Sequence, residues 1–126
     1  MRALDTNVLV RLLARDDAAQ AQTADDFVAN GAWVSHLVLA ESLWVLGAVY
    51  KRSPAQQIAL LDVLLSHHSL VIQDAGTVAA ALAHFRHKPA LGFSDCLVLE
   101  IAIKVGHKPL GTFDKALGKL SNTQKL

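Results

Sequence analysis

The sequence predicts an α/β fold, a sandwich in which helices cover a small, mainly parallel sheet of four or five strands. Short β-compatible apolar runs alternate with longer segments of helical periodicity along the chain, the order that builds a parallel sheet with helices on both faces. The junctions carry the residues that start and stop helices. At 126 residues the chain fits a single domain, 1–126, able to bury about two-thirds of its unfolded surface.

Taken in order, Ala3 and Leu4 are β-compatible, Asp5, Thr6 and Asn7 form a turn, and Val8, Leu9, Leu12 and Leu13 recur at helical spacing. This reads as strand, turn and a helix over 8–15. A second helix follows, with Ala21, Ala24, Phe27 and Val28 as its apolar stripe, and ends near Asn30 and Gly31. Asp16, Asp17, Asp25 and Asp26 fall near helix starts or on polar faces, where the dipole or water favours acids. Residues 32–35 form a second strand. Residues 37–50, LVLAESLWVLGAVY, read as a buried helix. Ser53 and Pro54 open another, with Ser as cap and Pro in the first turn. Residues 70–72 give a third strand, 77–87 an Ala-rich helix, 95–105 a helix behind Ser94 as its cap, and 109–112 a fourth strand. The tail from 118 has room for a short fifth.

Composition narrows the function classes. The apolar segment at 37–50 is shorter than the roughly 20 residues of a bilayer span and carries Glu41 in its middle. A mean hydropathy of +0.33 leaves apolar surface for self-association. The single Cys96 excludes an intrachain disulfide, and with no apolar leader at the N-terminus a reducing cytoplasm is the expected compartment. The net charge of +1 hides an asymmetry. From Arg86 onward Lys88, Lys104, Lys108, Lys115, Lys119 and Lys125 face only Asp95, Glu100 and Asp114, a balance that suits phosphate contacts.

Four acids resist a surface reading. Asp5 follows the first strand, where it can cap a helix but also lies at the sheet edge at which α/β proteins bind ligands. Glu41 is surrounded by Leu, Val, Ala and Trp, so burying it would be costly without a partner. Asp95 opens the apolar helix SDCLVLEIAI, and Asp114 follows the fourth strand as Asp5 follows the first. If those strands are neighbours, the carboxylates converge. Such a group is stable at neutral pH only with protons or cations between its members. Its oxygen-rich, His-poor chemistry suits Mg²⁺ or Mn²⁺, one or two ions. Thr6, Asn7, Ser94 and Thr112 would orient the carboxylates.

Other residues read more plainly. Glu100 lies four before Lys104, a surface-pair spacing. His84 and His87 lack a third metal ligand and read as surface or RNA-contacting. Cys96 reads as a packed thiol, and Trp33 and Trp44 as core or dimer interface.

The segments ALDTNVLVR, LVLAESLWVL, FSDCLVLEIA and GTFDKAL together resemble the four signatures of PIN-domain ribonucleases, and more closely those of the VapC-type toxins of bacterial toxin-antitoxin systems. The resemblance runs from Arg2 to about residue 117, with the acids in the family's order. It implies that Asp5, Glu41, Asp95 and Asp114 bind the metal and carry RNA hydrolysis. It also implies that Asn7, Thr112 and Ser94 support them, and that the protein is a homodimer silenced by a cognate antitoxin. Arg86, Lys88 and Lys115 are candidate RNA contacts. The competing reading is a non-catalytic RNA- or protein-binding module with a structural ion. A receiver-like phosphoacceptor fits less well, because ALDTN holds one acid where that fold needs an adjacent pair.

Overall fold

The computed structural model describes residues 1–126, in two compact units, Met1–Ala75 and Gly76–Leu126. In the first, strands β1 (Arg2–Ala3), β2 (Ala32–Val34) and β3 (Leu70–Ile72) accompany helices α1 (Thr6–Ala14), α2 (Ala18–Val28), α3 (His36–Ala48) and α4 (Pro54–Ser66). The strands are parallel in the order β1-β2-β3. Parallel neighbours need crossovers; α1 and α2 make the first, α3 and α4 the second.

Alternation along the strands decides what is buried. Ala32, Val34, Leu70 and Ile72 are buried, while Trp33 and Val71, in register with each other, are partly exposed. Cover on both faces is therefore incomplete, a detail that apolar runs such as AWV and LVI cannot express because every residue in them looks buried.

Each helix of this unit starts on a side-chain cap. Asp5, Asp17, Ser35 and Ser53 accept from the backbone N–H three residues on, and Ser53 and Gln56 complete a reciprocal capping box. Arg15 leaves α1 in the left-handed region and clamps Asp25 of α2 through two bonds of 3.0 and 2.7 Å. Arg11 binds Asp16 and the hydroxyl of Tyr50, which itself donates to Asp16 at 2.9 Å. Arg15 and Tyr50 hold the carboxyls of Asp25 and Asp16, respectively, below the usual range.

Helix α3 corrects the expectation of a fully buried segment. Leu39, Ser42, Leu43 and Leu46 are buried, but Leu37, Glu41 and Trp44 lie on the opposite face, and Trp44 is 66% exposed. A helix apolar on all sides has no direction that periodicity can detect.

The second unit contains most of α5 (Ala75–His87), then α6 (Phe93–Lys104), β4 (Leu110–Thr112) and β5 (Thr123–Lys125). Strands β4 and β5 pair in parallel, with Thr112 opposite Lys125. The five strands thus form ladders of three and two rather than one sheet of four or five. The cap expected at Ser94 is also corrected. Helix α6 begins at Phe93 behind Gly92, whose φ of 77° follows a 3₁₀ turn at Pro89–Leu91, so Ser94 already lies inside the first turn.

Phe85 and Phe93 are buried, with ring centroids 6.2 Å apart at a tilt of 58°. Glu100 departs from the predicted Lys104 pair and meets His84 Nε2 at 2.6 Å. A half-buried carboxylate gains more from a partner that shares its burial than from a solvated lysine.

Cys96 is fully buried. Burial, then the charges of Asp95 and Glu100, push its thiol up to about 11, so the nucleophilic thiolate is scarce at neutral pH. The expected result is no reaction of the native protein with Ellman's reagent at pH 8 and release of one equivalent after denaturation. A native rate equal to that of a free thiol would contradict the burial.

Candidate active site

Two of the four acids belong to the first unit. The parallel pairing that ends β1 continues through Leu4 N–H to Trp33 O at 3.1 Å, which delivers Asp5 to the edge just beyond the strand. There Asp5 Oδ1 accepts from Val8 N–H at 3.0 Å. The cap is Asp5 itself, and not Thr6 or Asn7. Thr6, next in the chain, donates its hydroxyl to Glu41 Oε2 at 2.8 Å, so the packing of α1 on α3 brings the first two acids to one edge of this unit. Glu41 is exposed, which overturns the argument from a costly buried carboxylate; what singles it out is the Thr6 tether. Asn7 is also exposed and lines, with Asp5, Val8, Arg11 and Phe27, a cleft of about 540 Å³ between α1 and α2.

Asp95 and Asp114 belong to the second unit. Asp95 lies in the first turn of α6. Although it reaches the surface, partial desolvation raises its carboxyl above the usual range, and the charge of Asp114 raises it further. The two acids thus lie within each other's field. Asp114 follows β4 in a tight turn, where its N–H donates to Thr112 Oγ1 at 3.0 Å and its Oδ1 accepts from Leu117 N–H at 2.7 Å.

The expected tetrad is therefore described as two pairs, Asp5 with Glu41 and Asp95 with Asp114. The ion pairs Arg11–Asp16, Arg15–Asp25 and His84–Glu100 involve none of its members. No three His, Cys, Asp or Glu side chains are assembled as a ready-made metal cage. The donor chemistry nevertheless fits a hard cation, because all four side chains offer carboxylate oxygens and a cation would offset the repulsion between Asp95 and Asp114. Ser94 is half-buried in the first turn of α6, without a capping bond. Lys115 is exposed, as is Arg86, while Lys88 is half-buried.

One residue of this region escaped the sequence reading. Phe113, between Thr112 and Asp114, is 81% exposed. Its signal was an aromatic side chain placed immediately before a candidate acid, in a turn with no periodicity to hide it.

A parallel α/β chain that presents acids just past strand ends belongs to the class of α/β proteins whose ligand chemistry occurs at the sheet edge. More specifically, the chain belongs to the PIN domain family, whose model matches residues 2–122. The family fold is generally that of a metal-dependent nuclease, typically using Mg²⁺ or Mn²⁺ and acting on RNA. No match is found among curated proteins. No helix is long and apolar enough to cross a membrane.

Proposed function

We propose that this chain is a divalent-metal-dependent endoribonuclease acting as the cytoplasmic toxin of a VapC-type toxin-antitoxin pair, with Asp5, Glu41, Asp95 and Asp114 as its metal-binding acids. The observation that carries this reading is how the carboxylates are held. Asp5, Glu41 and Asp114 each engage one oxygen in a hydrogen bond from Val8 N–H, Thr6 Oγ1 and Leu117 N–H, respectively. A carboxylate tethered by one oxygen presents the other in a fixed direction, the usual support for a metal ligand.

One or two bound Mg²⁺ or Mn²⁺ ions would supply an activated water and positive charge for the phosphodiester oxygens. The chain's own part is to orient and to bind. Thr6 fixes Glu41, Thr112 fixes the turn that carries Asp114, and Asn7 stands at the cleft beside Asp5. Arg86, Lys88 and Lys115 are assigned to the RNA backbone, where cations give affinity without sequence information. The exposed Leu37 and Trp44 of α3 provide apolar area for the homodimer. The cognate antitoxin is assigned to cover the acids.

The test is cleavage of single-stranded RNA by the purified protein. Cleavage is expected with Mg²⁺ or Mn²⁺, to stop with EDTA and to return when the metal is restored in excess. Absence of cleavage with either metal on total, ribosomal and transfer RNA would refute the enzymatic reading and leave the binding module.

A further inference from the structure

We propose that Phe113 is a stacking platform for an unpaired base of the RNA substrate, next to the acid-bearing turn. The inference rests on the ribonuclease reading and adds a residue that sets substrate position. Its first support is the way the ring is displayed. Phe113 is 81% exposed, yet the backbone on either side is pinned. Thr112 O accepts from Leu126 N–H at 2.9 Å, Asp114 N–H donates to Thr112 Oγ1 at 3.0 Å, and Asp114 O accepts from Gly118 N–H at 3.0 Å. An aromatic ring on a fixed turn can bind a flat partner with little loss of backbone freedom.

The second support is the charge around it. From Lys104 to the end of the chain the ionisable side chains other than His107 are Lys104, Lys108, Lys115, Lys119, Lys125 and Asp114, and all are exposed. Lys115 lies two residues from Phe113, and the β4-β5 register sets Lys125 opposite Thr112, the residue before it. The centre of a protein-protein interface is depleted in lysine. A surface that follows a single strand pairs cations for phosphates with aromatic faces for bases. The lysine-rich surroundings of this exposed ring therefore favour RNA over a protein partner.

Stacking on one ring contributes about 5- to 150-fold in affinity. Binding is measured by fluorescence anisotropy of labelled single-stranded RNA in EDTA, where no turnover occurs, with KM and kcat measured separately in metal. Phe113→Ala and Phe113→Leu are expected to weaken binding within that range and to raise KM with a smaller effect on kcat. Phe113→Trp is expected to keep or improve both, since a base recognises a flat π-face and not apolar bulk. A fully paired duplex is expected to bind all variants alike, because its bases are already stacked. Equal single-strand binding by wild type and Phe113→Ala, with wild type cleaving RNA, would overturn the platform alone. So would Leu performing as well as Phe, the result expected of a protein-docking anchor. A wild type that neither binds nor cleaves RNA would overturn the ribonuclease reading together with it.

Discussion

Replacing Asp5 or Asp95 by Asn is expected to lower RNA cleavage by at least about 10²-fold while leaving the fold intact, the loss of several kcal/mol of charge stabilisation from a weakened metal site. The substitutions separate charge from structure. Asp5 caps α1 through Oδ1, and Asn is as good a cap as Asp, so Asp5→Asn keeps the bond to Val8 N–H and loses only the negative charge. At Asp95 the sign is also fixed. The carboxyl is raised by desolvation and by Asp114, so ionising it costs more in the folded state than in the unfolded one. A neutral side chain removes that repulsion. Without metal, the melting temperature of Asp95→Asn should therefore be equal to or slightly above that of the wild type, even as kcat/KM measured with metal collapses. Unchanged cleavage in both variants would remove these acids from the site, whereas loss of activity with loss of fold would reduce Asp5 to its cap.

How far the sequence speaks for itself differs from residue to residue. Asp5 forces an apparent choice between cap and ligand, but a carboxylate has two oxygens, and the structure commits only one to the cap. Glu41 is picked out for a poor reason. In LVLAESLWVL every face looks buried, so its exposure beside Leu37 and Trp44 is invisible, and the Thr6 bond that singles it out spans 35 positions. The same limit hides Glu100, whose partner His84 lies 16 positions away while Lys104 stands at the obvious spacing. Local rules succeed where the physics is local, as in the cap at Ser53 with Pro54 in the first turn, but Ser35, read as the end of the second strand, is in fact the cap of α3. They miss Gly92, where backbone conformation and not a side chain starts the helix. Strand positions are legible from short apolar runs, but strands of two or three residues hold too little register information to say that β4 pairs with β5 in a ladder separate from β1-β2-β3.

Phe85→Ala should be among the most destabilising substitutions in the chain, at about 3–5 kcal/mol. Phe85 is 1% exposed and meets Phe93 in a tilted pair, so truncation forfeits the ring's transfer free energy, leaves a void and removes the aromatic contact. Alanine's better helix propensity returns only about 0.5 kcal/mol in α5, too little to decide the sign. Against a total stability of about 5–15 kcal/mol, the loss should lower the urea midpoint by more than about 1 M. Phe113→Ala is the matched control, the same atoms removed from a ring that is 81% exposed, and should stay within about 0.5 kcal/mol of the wild type. A cost below about 1 kcal/mol at Phe85 would show that its surroundings collapse to fill the void. A large cost at Phe113 would mean that its ring is packed, and would deny it to a base.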